Sequence, residues 1–379
     1  MIPDRKLEIS QLQRVCRVAH LHSSIGIYGS ERWTHALIKN LDRRTVESMM
    51  VSIGTKPDAD KFHKLLLADG IATTHIAEPG KLSIRALFTL RNILVKGRVD
   101  ILHTHGFKAD VLGYVVTRGL GIRLVSTLHG WSADENKQIR FYEAIARFFL
   151  RFYDRLYPLS PALLRDLEQR NFQSRRRRLI LNGVDLSNID FNPRRRDVND
   201  PFSILFVGRL CRPKGIFDLL YAMAEMGDDT RTTLTIVGDG PDRRSLEELA
   251  QSIKIHNKVT FVGAVSNVLP YLACSDALVL PSYSEGIPRV VMEAFAVGVP
   301  VVGTDIPGTC ELVKHETTGL LVPVRSPHAI AVALQRLREQ PRLGLSMASR
   351  ARSLVTEKFS AQRMARDFER EYQELIANT

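Results

Sequence analysis

ALVLPSYSEGIPRVVMEAFAVGVPVVGT, residues 277–304, holds two short apolar runs, ALVLPS at 277–282 and VPVVGT at 299–304, on either side of a helical pattern at 288–297. Neither run alternates polar with apolar residues, so each reads as a strand covered on both faces. Strands of this kind joined through a helix pair in parallel, because a parallel connection has to cross over the sheet. The same pattern repeats upstream. SILFVG at 203–208, TLTIVG at 233–238 and KVTFVG at 258–263 read as strands, with helices expected at about 214–226, 241–256, 266–274 and 327–340. The first half follows suit, with strands at 14–21, 46–54, 71–77, 99–105 and 123–130 and helical periods near 31–41, 58–69, 81–97, 107–119 and 134–153. Repeated strand–helix units of this length predict α/β lobes built on parallel sheets.

At 379 residues and roughly 150 residues per domain, the prior is about 2.5 domains. The polar stretch LSNIDFNPRRRDVNDPF at 186–202, with Pro193 and Pro201, reads as a linker. The division expected is residues 1–190, 191–355 and a C-terminal piece, 356–379, in which Phe359, Met364, Phe368, Tyr372 and Leu375 have the spacing of an amphipathic helix that docks back on the protein. An apolar fraction of 44% and a charged fraction of 25% exclude wholesale disorder. The four cysteines form no Cys-x-x-Cys pair, which argues against a disulfide framework or a zinc knuckle and fits a reducing compartment. With no apolar run of signal or membrane-span length, a cytoplasmic protein is expected, with peripheral membrane contact left open. The net charge of +12 points to polyanions: nucleotides, nucleic acid or an anionic membrane surface.

Several strand exits carry candidate chemistry. GIYGSERW, Gly26 to Trp33, reads either as a structural turn or as an anion-binding loop at a helix N-terminus; it is no full GxGxxG, and no Walker A sequence follows. HTHG at 103–106 and LHGW at 128–131 place His103, His105 and His129 at strand ends. Without zinc spacing or HExxH they read as groups that orient a polar substrate or as satisfied structural side chains, rather than as metal ligands. VGRLCRPKG puts Arg209 and Lys214 beyond a strand, where two cations can neutralise a diphosphate leaving group. VGDGP at 237–241 is a second tight exit. In residues 281–308, Glu285 precedes a glycine turn and Glu293 lies eight positions later on the following helix, a spacing that lets one carboxylate meet a sugar and the other a further hydroxyl pair. Two unrelated surface glutamates are the alternative.

Taken together, the early Gly–Ser–Glu turn, LHG, NGVD at 182–185, VGRLxxxKG, VGDGP and SEGIPRVVMEA with its E-x7-E spacing closely resemble the retaining, nucleotide-sugar-dependent glycosyltransferases of family four, glycosyl transferases group 1, related to bacterial glycogen synthases and phosphatidylinositol mannosyltransferases. The resemblance covers nearly the whole chain. It implies a GT-B fold, two Rossmann-like lobes facing across a cleft, with the nucleotide-sugar donor in the second lobe and a glycan or lipid-linked acceptor in the first. It assigns Arg209 and Lys214 to the donor diphosphate, Glu293 to the ribose hydroxyls, and Glu285 with the backbone of Gly286 and Ile287 to the sugar, Pro288 supplying no N–H. It places His129 in the active site and Gly29 near the phosphates. The reaction implied is retaining transfer of a hexosyl group to a hydroxyl, the departing phosphate helping to remove the acceptor proton, with neither metal nor cofactor beyond the donor itself. GIYGSERW and EGIPRVV depart from many relatives, which leaves donor base and sugar open.

Charge outside these motifs has other readings. In 140–155, Phe141, Ala144, Ile145, Phe148, Phe149 and Phe152 form an apolar arc beside Arg147, Arg151 and Arg155. We read the arc as a core face with solvated arginines, and contact with a lipid surface on the cytoplasmic side of a membrane as the alternative. RRRR at 175–178 and RRR at 194–196 raise nucleic-acid binding, but no aromatic RNA platform or DNA-reading element accompanies them. A catalytically inactive sugar-binding or scaffolding protein is the remaining alternative.

Overall fold

A computed structural model describes residues 14–23, 29–54, 56–78, 83–129, 137–187, 189–227 and 231–377. The chain divides into two compact units, one taking residues up to Thr127 with Ile145–Arg155 and Ala365–Thr379, the other Leu128–Ala144 and Leu156–Met364.

The first sheet contains β1 (Cys16–His22), β2 (Val46–Gly54), β3 (Ala72–Ala77), β4 (Ile101–His105), β5 (Arg123–Leu128) and β6 (Arg155–Pro158). Alternating with them are α1 (Gly29–Asn40), α2 (Lys56–Ala68), α3 (Ile84–Lys96), α4 (Phe107–Thr117) and α5 (Lys137–Leu150). After α6 (Pro161–Gln169), the second sheet is built from β7 (Phe202–Val207), β8 (Thr232–Val237), β9 (Val259–Gly263), β10 (Ala277–Leu280), β11 (Val301–Thr304) and β12 (Leu320–Val322). Its helices are α7 (Ile216–Glu225), α8 (Arg243–Ser252), α9 (Leu269–Ala273), α10 (Arg289–Val297), α11 (Pro307–Leu312) and α12 (Pro327–Glu339), and α13 (Pro341–Lys358) and α14 (Ala361–Ala377) complete the chain.

The strand orders are β3-β2-β1-β4-β5-β6 and β12-β11-β10-β7-β8-β9. Numbered from each sheet's own first strand, both are 3-2-1-4-5-6, the order of dinucleotide-binding sheets. The two sheets together are the pair of Rossmann-like folds of the GT-B class. The unbroken apolar strands follow from burial on both faces: β7 sends Phe202, Ile204 and Phe206 into one core and Leu205 into another, and β10 divides Ala277 and Val279 from Leu278 and Leu280 in the same way.

Helix boundaries follow local chemistry. The Ser83 side chain accepts from Ala86 N at 3.2 Å and starts α3, Ser160 does the same for Leu163 N at 3.1 Å ahead of Pro161, and Gly298 ends α10. In α14, Met364, Phe368, Tyr372 and Leu375 are all buried, as is Phe359 before it. From Ala365 onward this helix belongs to the first unit: the Tyr372 hydroxyl is 2.6 Å from His103 Nδ1, Trp33 and Phe368 meet edge to face at 5.6 Å, and Arg155 pairs with Glu371 and Glu374. The NGVD segment anchors the start of this helix, since Val184 N donates to Phe359 O and Ala361 N donates to Val184 O.

The structure departs from expectation in several elements. β6, β12, α6, α11 and α13 were not anticipated. The arc on α5 is the clearest reversal: Ala146, Leu150 and the following Tyr153 are buried, while Phe141, Phe148 and Phe152 face outward.

The polar interior of the first unit sets a pH dependence. Asp110 Oδ1 accepts from Thr104 Oγ1 at 2.6 Å and Ser126 Oγ at 2.8 Å, and burial pushes its carboxyl up to about 7, against the opposing pull of those two bonds. A carboxyl whose folded pKa is raised contributes stability that is fully present below its unfolded value of 3.8 and is lost as pH rises through about 7. Asp110→Asn mimics the protonated acid. In urea unfolding across this window, wild type should lose up to about 4 kcal/mol relative to the variant; a difference independent of pH would contradict the assignment. Tyr372→Phe leaves a buried imidazole nitrogen without its hydroxyl and should destabilise by about 1–3 kcal/mol in the same assay, with no change expected if α14 does not hold this position.

Candidate active site

Strand order reverses in the second sheet between β7 and β10: the chain runs outward from β7 through β8 to β9, then returns to the other side of β7 with β10. Loops leaving adjacent strands at such a reversal diverge and open a crevice beyond the strands' carboxyl ends. Those loops are 208–215 and 281–288, the two stretches that carry Arg209, Lys214 and Glu285.

At one crossing, Gly215 over Pro281, their backbones lie almost in contact. Residues Arg212–Lys214 form a 3₁₀ turn that ends at Gly215 with φ +66°, and a Cβ there would sit 2.0 Å from Pro281 O. Below the second loop, a Cβ on Gly308 would stand 1.7 Å from Gly286 O. No side chain fits at either crossing, the first of which also needs a left-handed backbone. Tyr283 fastens the loops together: its N–H donates to Pro213 O at 2.8 Å, and its hydroxyl donates to Asp218 Oδ2 on α7 at 3.0 Å. The Arg325 guanidinium lies over the Tyr283 ring at 5.1 Å.

This scaffold brings Lys214 Nζ to 2.5 Å from Glu285 Oε1, which also accepts from Ser282 Oγ at 2.7 Å. Neither charge is buried deeply enough to be removed from water, the Lys214 side chain being 25% and that of Glu285 11% exposed. Arg209, at the exit of β7, is exposed and has no ion-pair partner among the described residues. Glu293 is buried on α10, its Oε1 accepting from Arg289 Nε one turn earlier at 2.8 Å, and no described residue donates to its Oε2. Helices α7 and α10 start beside these groups at Gly215 and Pro288, and neither has a side-chain cap. First-turn N–H groups and the positive ends of both helices are therefore available to an oxyanion.

The remaining expected residues are placed less tightly. Gly29 opens α1 with nothing within 4 Å of a notional Cβ, so sterics do not demand glycine there; Gly26 to Tyr28 lie outside the described residues. His129 directly follows β5 and is half-buried, while Gly130 and Trp131 again lie outside. Gly286 and Ile287 occupy the loop before α10.

His103 and His105 turn out to be interior. His103 Nδ1 meets Tyr372, its Nε2 is 2.7 Å from Thr127 Oγ1, and His105 stacks on His22 at 4.6 Å and lies 3.2 Å from His20 Nδ1 through Nε2. Ring nitrogens of His20, His103 and His105 gather within 4.8 Å of one another. Protein hydrogen bonds orient these rings, and burial pushes His20 and His22 down to about 3, so both stay neutral. Of the strand-end histidines only His129 stays near the surface, which corrects the substrate-orienting reading for the other two.

Sequence reasoning missed Ser282, Tyr283, Asp218, Arg289 and Arg325. Arg289 had a local signal, the i,i+4 spacing to Glu293 on a helix, and Ser282 another, a hydroxyl three residues before Glu285; Tyr283, Asp218 and Arg325 act across segments distant in sequence.

Comparison with known proteins agrees with this fold. The profile described as Glycosyltransferase Family 4 matches residues 27–188, and that described as Glycosyl transferases group 1 matches 188–354. The chain is 25% identical over 297 residues to N-acetyl-alpha-D-glucosaminyl L-malate synthase of Bacillus anthracis, covering 76% of this chain and 78% of the relative. It is 27% identical over 350 residues to a glycogen synthase of Mycobacterium tuberculosis, covering 89% and 82%. Among solved structures, Anabaena Alr3699/HepE in complex with UDP-glucose superposes with a TM-score of 0.81 at 21% identity, covering 96% of this chain and all of that one. The two profiles together take in residues 27–354, and the chain belongs to the glycosyltransferases of family 4, group 1.

Proposed function

We propose that this protein transfers a hexosyl group from a nucleoside-diphosphate sugar to a hydroxyl of a growing glycan or glycolipid, with retention of anomeric configuration. The observation that carries the proposal is the contact between Lys214 and Glu285, drawn from loops 71 residues apart to the point of strand reversal. A donor diphosphate at this edge meets Lys214, Arg209 and the two uncapped helix starts, so negative charge arriving on the leaving group is met by groups already in place. Glu293 presents a carboxylate oxygen to the ribose hydroxyls, and Glu285 to the sugar. Lys214 then bridges diphosphate and Glu285, linking sugar orientation to the leaving group.

In the proposed step the bond between the anomeric carbon and the phosphate oxygen breaks as the acceptor oxygen attacks the same face. The acceptor's proton passes to the departing phosphate, which leaves as nucleoside diphosphate. Glu285 is engaged by Lys214 and Ser282 and acts here by position and charge, not as a nucleophile. Neither a metal nor a further cofactor is part of this scheme. The solved relative bound to UDP-glucose supports a nucleotide-sugar donor, and the relative named a glycogen synthase supports a saccharide acceptor.

Lys214→Ala should lower kcat/KM for the donor by about a hundredfold or more, since it removes charge stabilisation at the leaving group. Glu293→Ala should chiefly raise the donor KM, the signature of lost uniform binding. Both are to be measured on variants whose thermal unfolding matches wild type, and normal donor kinetics in both would sink the assignment. Substrates are found by incubating a panel of nucleotide sugars with membrane or lipid-linked oligosaccharide extract and identifying products by mass. NMR of the product should show the donor's anomeric configuration; an inverted product would exclude same-face transfer, and donor binding without any product would indicate a sugar-binding protein.

A further inference from the structure

Helices α3, α4 and α5 connect β3 to β4, β4 to β5 and β5 to β6, each step in the same direction across the first sheet. Right-handed crossovers therefore place all three on one face. Their packing agrees: Arg91 on α3 donates to Val116 O and Arg118 O at the end of α4, and Tyr114 on α4 touches Phe149 and Phe152 of α5 and its exit, with ring centroids 5.1 and 5.2 Å apart.

The outer surface of this layer has an unusual composition. Phe88 is 64% and Phe148 58% exposed, and Val95, Val115 and Phe152 also face outward. On α5 the exposed rings are not displaced core residues, because the opposite face, with Ala146 and Leu150, fills the interior. Charge is sorted as well. The carboxylates of the three helices are Asp110 and Glu143, both buried, whereas Arg85, Lys96 and Lys108 are exposed. Arg91 and Arg147 add further positive charge. By contrast, the surface helix α8 interleaves both signs, Arg243 pairing with Glu247 and Arg244 with Glu248.

Phenylalanines on a field of cations without exposed carboxylates match the interface of an anionic bilayer, where rings enter the headgroup region and Lys and Arg meet phosphate. A second copy is a poor occupant, since two such faces would repel one another. We propose that the outer surface of the α3–α4–α5 layer docks on an anionic phospholipid bilayer. This goes beyond the proposed reaction and stands without it.

The test is co-sedimentation of the full chain with vesicles of phosphatidylcholine alone or mixed with phosphatidylglycerol. Binding is expected to the mixed vesicles, with little to phosphatidylcholine alone, and to decline as salt rises. Phe148→Ser with Phe152→Ser, and separately Arg85→Glu with Lys96→Glu, should each lower the partition coefficient about tenfold or more. Thermal unfolding and donor hydrolysis without acceptor should stay at wild-type levels, which separates lost docking from lost folding or a failed site. Wild-type protein left in the supernatant, equal binding to neutral vesicles, or undiminished binding by both variants would overturn the proposal. So would a wild-type dimer in sedimentation velocity that either variant dissociates, because the face would then be a self-interface.

Discussion

At the carboxyl edge of the second sheet, the backbone at Gly215 passes the Pro281 carbonyl so closely that even a methyl group would clash. The other features of the candidate site depend on that crossing. It holds the 3₁₀ turn of Lys214 against the loop of Glu285, lets Tyr283 bond to both Pro213 and Asp218, and aims the starts of α7 and α10 toward the same edge. Preorganisation of this kind is worth more to a reaction that separates charge than any single strong contact, because the positive groups need not be assembled when the leaving group departs.

Charge is distributed with the same economy. In the polar interior of the first unit, burial holds His20 and His22 neutral and pushes Asp110 toward its neutral form. Arg209 and Lys214 stand at the edge of the second sheet, whereas Arg196 and Lys258 are buried elsewhere in the second unit. The net charge of +12 thus has several destinations: Arg209 and Lys214 beside the proposed diphosphate, and the exposed basic residues of α3 to α5 on a face with no exposed acid to balance them.

The two lobes and their central strands were legible in the sequence because a strand covered on both faces leaves an unbroken apolar run, as ALVL does in β10 and FSILFV in β7. RLYP and LLV are too short for any period to register, so β6 and β12 were missed. Helix α13 buries Met347, Ala348, Ala351 and Val355, a face of small side chains that carries little contrast against its polar neighbours. Lys214, Glu285 and Glu293 could be singled out by residue type and position relative to strand exits. Their partners could not, since the Lys214–Glu285 contact and the Tyr283–Asp218 bond close loops of more than sixty residues. On α5 both faces are apolar, and periodicity cannot say which one turns inward; Ala146 and Leu150 are the ones buried.

The central claim is that a nucleotide sugar binds at the β7–β10 reversal with its diphosphate on Lys214. A crystal structure of the protein with a non-hydrolysable nucleoside-diphosphate sugar tests it most directly. A diphosphate oxygen within hydrogen-bonding distance of Lys214 Nζ, and ribose hydroxyls on the Glu293 carboxylate, are the predicted result. A nucleotide bound elsewhere, or bound at this edge without touching either side chain, would contradict it.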